Sequence, residues 1–363
     1  MKKRDFIKNI GLGSAAFMLA PTLLTSCGTT TSTDEDFKYW VWVDGNNEKT
    51  ISDWKTELTG LREAGITGLI IGGGRQMLEK LIPIAQELGQ EVHAWLWTMN
   101  RPGDTEAQAH PEWYAVSRNG ESSLDVNPYV GYYQWLCPSK PEVQEYVKNF
   151  MVSHCDIEGL SAIHLDYVRY CDVILPKGLW ATYDLVQDHE MPEYDFCYCE
   201  TCQGNFEAEN GYRPDSLEDP SQDEKWRKYR WDSITKLVNQ VSAAVHAKGK
   251  KMSAAVFPYP ELARKLVRQS WNEWDLDIVF PMIYHNFYEE DIPWIEYATQ
   301  QGVNDLNGKF PLHTGVYLPE MKPEEIGQAI AAAKAGGAKG MSFFSNGALK
   351  NERLKAFAAV KKS

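Results

Sequence analysis

The sequence predicts an α/β fold of the (β/α)8 TIM-barrel class, with long loops after strands three and four. Three observations carry that prediction. Strand-like and helix-like segments alternate along the chain, the pattern of a parallel sheet with crossover helices. The alternation runs through eight strands, and 363 residues suit one decorated barrel. The Gly-x-Gly-x-x-Gly first turn of a doubly wound open sheet is absent.

The first strand is expected near Phe37–Val43, rich in aromatics and Val. A helix near Ile51–Ala64 follows, with Gly65 as its stop. Thr67–Ile71 reads as strand two and runs into Gly72-Gly73-Gly74. No Gly-Lys-Ser/Thr follows, so this is a tight turn with room for a ligand and not a P-loop. A helix near Met77–Leu88 leads to strand three, Val92–Trp97, whose Trp95 and Trp97 share one face. Trp97, nearer the strand end, is a candidate to line a cleft, and Trp95 reads as barrel core.

Residues 98 to 140 form a long insertion rich in Pro, Gly and aromatics, and loops of that length are usually functional. Pro141 opens the next helix. Strand four lies in Ser161-Ala-Ile-His-Leu-Asp-Tyr-Val-Arg-Tyr170, which starts apolar and ends in charge. A second insertion spans 171 to about 222. The helix near Asp223–Ala247 repeats Trp226, Ile234, Leu237, Val238, Val241 and Val245 at helical spacing. Strands five to eight are expected at Lys251–Phe257, Asp277–Tyr284, Pro311–Leu318 and Gly340–Phe344. Helices near Pro293–Gln301, Ile326–Ala335 and Asn351–Val360 complete the series.

The N-terminus reads as an address. Lys2-Lys3-Arg4 precedes an apolar run from Ile10 to Leu24 that is too short for an ordinary membrane span. Lys3-Arg4-Asp5-Phe6-Ile7-Lys8 resembles a twin-arginine signal with Lys for the first Arg. Leu24-Thr25-Ser26-Cys27 looks like a bacterial lipobox, which implies cleavage before Cys27 and its acylation. Residues 1–26 are then a lipoprotein signal peptide, 27–36 a polar tether and 37–363 the barrel. The expected place is the cell envelope, on a membrane through a lipid anchor. The formal charge is −13, and removing a leader of net +3 leaves −16, which argues against nucleic acid as a partner. The aromatic share, with 13 Trp and 18 Tyr, suits either a ring-stacking cleft or a large core.

Barrel chemistry sits at the C-terminal ends of strands, which makes Asp166 the first candidate. His164-Leu-Asp166-Tyr-Val-Arg169-Tyr170, Trp135-Leu-Cys-Pro-Ser, Trp271-x-x-Trp274, Phe280-Pro-Met282-Ile-Tyr284-His285 and Gly340-Met-Ser-Phe-Phe344 resemble glycosyl-hydrolase-like family 10. That group was once called domain of unknown function 187. The resemblance covers nearly the whole chain after the tether. It implies a TIM barrel, a glycosidase-type activity on wall glycans or other polysaccharides, and Asp166 as a catalytic carboxylate.

Cutting a glycosidic bond takes an acid for the leaving oxygen and a second carboxylate as nucleophile or base. The second would come from another strand end. Asp44, Glu261, Glu289, Glu290 and Glu320 are the acids on offer. Glu320 is preferred because strand seven lies across the barrel mouth, and Glu261 is second. Either would alternatively be a first-turn acid complementing a helix dipole. Trp97, Tyr167, Arg169, Tyr284, His285, Tyr317 and Asn346 cluster at the same expected rim and would bind substrate. Arg169 would pair with Asp166 and favour its charged form. No cofactor is needed for this chemistry.

Cys197-x-Cys199-x-x-Cys202 has the spacing of thiolate metal ligands, and tetrahedral zinc takes four. Cys171 or Cys137 would supply the fourth, giving a structural zinc that pins the long loop; a disulfide is the alternative in an oxidising envelope. The leading expectation is a glycoside hydrolase acting on carbohydrate. A glycan-binding lipoprotein without catalysis is the competitor. A metal-dependent hydrolase is disfavoured, because the strand ends lack a His pair.

Overall fold

A computed structural model describes residues 37–46 and 48–360. The leader, the acylation site at Cys27 and the tether lie outside the described residues. No described helix is long and apolar enough to cross a membrane.

The strands are β1 Lys38–Val43, β2 Gly68–Ile71, β3 Glu91–Trp97, β4 Ala162–Asp166, β5 Lys251–Val256, β6 Ile278–Pro281, β7 His313–Tyr317 and β8 Gly340–Phe344. All pair in parallel, in the order β6-β5-β4-β3-β2-β1-β8-β7. Parallel bridges Val279–Leu312 and Met282–Gly315 join β6 to β7 and complete the ring. The chain is a (β/α)8 TIM barrel.

The helices outside it are α1 Ile51–Ala64, α2 Gly74–Glu87, a single turn α3 Thr105–Gln108, α4 Pro141–Val152, α5 Glu200–Asn210, α6 Glu224–His246, α7 Pro260–Val267, α8 Ile292–Leu306, α9 Ile326–Ala335 and α10 Asn351–Val360. Their starts follow capping chemistry. Thr50 and Asp53 form a reciprocal box at α1, and the Asp223 side chain accepts the Trp226 N–H at α6. Among the boundaries that differ from expectation, two have a plain physical reason. Strand six stops at Pro281, which has no N–H for the ladder. Helix α8 runs past Gln301 to Leu306, because Gly302 is a packing position within it: a Cβ there would stand 2.7 Å from Leu312 Cδ1.

Strand alternation sorts side chains into two cores. Val41, Leu69, Val92, Ala94, Ile163, Leu165, Met252 and Val279 point outward and pack within the helix-facing core. Trp40, Trp42, Ile70, Ala255, Ile278 and Phe280 fill the barrel interior. Large rings fit because glycines face them. A Cβ on Gly68 would lie 2.1 Å from Trp40 Cε3. Gly72, expected to leave room for a ligand, leaves it for Trp95: its Cβ would lie 2.8 Å from Trp95 Cε3. Buried polar groups lie deeper, with Ser253 Oγ 2.9 Å from both His93 Nδ1 and His164 Nδ1.

Candidate active site

The same inward row that fills the core ends, at the C-terminal mouth, in groups with chemistry. On β3 it ends in Trp95 and Trp97, on β4 in Asp166, on β7 in Tyr317 and on β8 in Phe344. Register sets Trp97 beside Asp166. These side chains form the floor of a cavity of about 390 Å³. The first insertion supplies Tyr129, Tyr132 and Tyr133 to its wall; the second supplies Asp172, Leu175, Pro176, Leu179 and Tyr183. Phe257, Met282, Tyr284, Phe287 and Tyr288 complete it.

Asp166 is held from two sides. Trp95 Nε1 donates to Oδ2 at 2.8 Å, and the Tyr167 N–H donates to Oδ1 at 2.7 Å. Tyr167 adopts a left-handed backbone (φ 49°), rare for a bulky side chain and a recurrent feature of functional sites. Burial pushes the Asp166 carboxyl above its ordinary value; the bonds from Trp95 and Tyr167 and the more distant Arg169 charge oppose this without cancelling it. Asp166 is therefore biased towards the protonated form.

Arg169 does not pair with Asp166 as expected. Its Nη1 reaches Asp172 Oδ2 at 2.8 Å and the Tyr170 carbonyl at 3.0 Å, and its Nη2 reaches Tyr133 Oη at 3.3 Å. The rings of Trp135, Phe257 and Tyr167 lie 4.8, 5.2 and 5.4 Å from its guanidinium carbon. Burial works against its charge, but the Asp172 carboxylate and neighbouring groups outweigh burial and keep it protonated. Asp172 was not singled out in the sequence. It belongs to an insertion with no strand period, and only the paired Arg169 three residues earlier hinted at it.

The expected substrate-binding residues divide. Trp97, Tyr167, Arg169, Tyr284 and Tyr317 line the cavity. His285 is buried and lies outside the lining. Asn346 also lies outside it and works as a brace: its Nδ2 donates to Glu57 on α1, and its Oδ1 accepts the Asp44 N–H. Trp95, read as core, is a side-chain hydrogen-bond partner of Asp166.

The proposed second carboxylates also lie elsewhere. Glu261 is exposed at the start of α7, in a separate groove with Arg264 and Arg268. Glu320 is exposed on the turn after β7, beyond Tyr317. Neither lines the cavity that Asp166 faces. Asp166 and Asp172 are the acids in the cavity wall.

The two insertions are joined to each other. Tyr129 stacks on Tyr194 at 4.1 Å, and Ser117 bridges to Phe196. Cys137 from the first insertion meets Cys197, Cys199 and Cys202 from the second, with one sulfur from each within 4.8 Å of the others. Cys137, not Cys171, completes the group; Cys171 is buried next to Asp172 on a different stretch of backbone.

No family model and no curated protein matches the sequence. Solved structures that it resembles include several glycoside hydrolases. One is the catalytic domain of a β-amylase from Paenibacillus polymyxa, at 11% identity and a TM-score of 0.59, covering 90% of this chain and 97% of that one. Another is α-L-fucosidase isoenzyme 2 from Paenibacillus thiaminolyticus, at 14% identity and TM-score 0.58, with 90% of this chain matched to 48% of that one. The endo-β-1,4-mannanase from Thermotoga petrophila follows at 11% and 0.53, with 90% and 77% covered. The chain thus spans nearly all of the amylase domain and about half of the fucosidase. At these identities the likeness is one of fold.

Proposed function

We propose that this protein is a glycoside hydrolase acting on a polysaccharide or wall glycan, with Asp166 as its central acid. The observation that carries the reading is the setting of Asp166. It lies at the C-terminal end of β4, faces an aromatic cavity and is held by burial towards its protonated form. A carboxylic acid whose pKa is raised is suited to protonate the leaving oxygen of a glycosidic bond. Trp97, Tyr167, Tyr284 and Tyr317 supply faces on which sugar rings stack. Tyr133, Tyr284 and Tyr288 are held neutral by burial and present phenols for sugar hydroxyls. The resemblance to glycosyl-hydrolase-like family 10 and the fold shared with solved glycoside hydrolases support the same class.

The test is incubation with pooled glycans, measuring new reducing ends for wild type beside Asp166→Asn. Product from wild type alone supports the reading; no product from either removes it.

One observation favours a second reading, a glycan-binding protein that does not cut. The other acid in the wall, Asp172, is committed to Arg169. Glycan binding by wild type without product, retained in Asp166→Asn, would select it.

The leader supports attachment to a membrane of the envelope through acylated Cys27. Radioactive palmitate incorporated by wild type and lost in Cys27→Ser is the expected result; labelling that survives the substitution would exclude it.

A further inference from the structure

We infer that Cys137, Cys197, Cys199 and Cys202 form a closed tetrathiolate site for one Zn²⁺, and that this ion is the clasp holding together the two insertions that wall the cavity. The inference stands apart from the glycosidase reading and rests on side-chain positions. The four thiols are buried, and none is joined to another as a disulfide. Cys137 Sγ lies 3.4 Å from Cys202 Sγ and 3.7 Å from Cys199 Sγ. Tetrahedral zinc with bonds of about 2.3 Å holds its sulfurs about 3.8 Å apart, so the spacing is that of a shared ion. A pairwise scheme fits poorly, because Cys137 stands near two sulfurs of the same short stretch.

The surroundings prepare the sulfurs for negative charge. The Val116 N–H donates to Cys197 Sγ at 3.3 Å. Cys199 caps the N-terminus of α5, and Cys202 lies in its first turn, where the helix dipole favours anions. Binding releases up to four thiol protons to solvent and leaves a site of net charge −2, with all four coordination positions filled by protein. Such a site has no open position for water or substrate, so the role is structural.

The consequence lies in topology. Cys137 ends the stretch that carries Tyr129, Tyr132 and Tyr133; the other three follow the stretch that carries Asp172, Leu175 and Tyr183. One ion therefore bridges the two segments that wall the cavity above the strand ends. Cys155 and Cys171, also buried thiols, stand outside the cluster and serve as internal controls.

Elemental analysis of the full chain purified without chelator should give about one zinc per molecule. The paired Cys199→Ser/Cys202→Ser substitution should abolish it, while Cys171→Ser should keep it. Because the paired variant is at risk of not folding, a second measurement uses wild type. Chelator under denaturant, followed by refolding with Co²⁺, should give the strong thiolate-to-metal absorption of a tetrahedral sulfur site. Native hydrogen exchange before and after chelation should show lost protection within residues 98–140 and 171–222 and unchanged protection in β1 and β2. Absence of metal with the cysteines recovered as disulfides would overturn the assignment, as would zinc that survives the paired substitution. Unchanged exchange in both insertions on metal removal would overturn the clasp.

Discussion

Two carboxylates mark opposite ends of the barrel interior, and they differ in company. Glu91 begins β3 at the lower end; Asp166 ends β4 at the upper. Glu91 has two cations beside it, Lys38 Nζ at 3.0 Å and Lys251 Nζ at 3.2 Å, with the buried His93 ring at 3.5 Å. A bond from His93, with Lys38 behind it, holds Glu91 far below the ordinary carboxylate range despite its burial. Asp166 has neutral donors and a cation already committed elsewhere, and burial raises it. The same functional group is held towards its charged form at one end and shifted towards its protonated form at the other. The contrast shows that position in a barrel selects which acid is available, and local charge selects what it can do.

The contrast can be broken most strongly at Asp166. Asp166→Asn should lower the rate of glycan cleavage by about 10²–10⁴, the range expected for loss of a general acid. It should at the same time raise Tm at neutral pH, because it removes a buried carboxyl whose ionised form is disfavoured. The sign follows from linkage. A folded-state pKa above the unfolded one means the native state binds the extra proton, so the Asp166 contribution to stability falls as pH rises from the unfolded value through the raised one. A Tm that drops in Asp166→Asn at neutral pH would contradict the burial argument.

Asp172→Ala is expected next. It leaves the Arg169 guanidinium buried without its partner, and breaking such a pair costs about 3–5 kcal/mol. Urea denaturation would measure it, and a loss under about 1 kcal/mol would show Arg169 to be solvated. Trp95→Phe sharpens the comparison. It deletes a bond that favours the charged form of Asp166, so the alkaline limb of the pH–rate profile should move to higher pH. A shift to lower pH would reverse the role given to Trp95. At the other end, Glu91→Gln should leave cleavage unchanged and weaken the fold above pH 4.5. The Glu91 contribution is present above its unfolded value and lost as pH falls below it, so wild type and variant should converge in acid. The smallest effects are expected at Glu261→Ala and Glu320→Ala, which should change the rate by less than about twofold, as surface substitutions away from the site do.

Much of the barrel was legible because apolar alternation, glycine stops and N-terminal capping residues are local signals. Asp166 was legible for the same reason: it is the first charge after a buried strand. The rest of the site depended on tertiary placement. Trp95 and Trp97 share a face, and only three dimensions show that Trp95 turns its Nε1 towards Asp166. Arg169 has two acids within three residues, Asp166 and Asp172, and spacing does not choose between them. Asn346 and Glu320 follow strand ends as catalytic groups do, but the first ties down α1 and the second points to solvent. The Cys197–Cys202 run was visible as a ligand motif, whereas spacing did not choose between Cys171 and Cys137 as its partner, and Cys137 stands 60 residues earlier in another insertion.

The packed rings of Trp40, Phe280 and His93 seal the lower barrel, with centroids 4.5 to 6.0 Å apart. The chamber above them therefore has no outlet through the barrel floor, so whatever enters does so on the side of the strand C-termini and leaves on that side too.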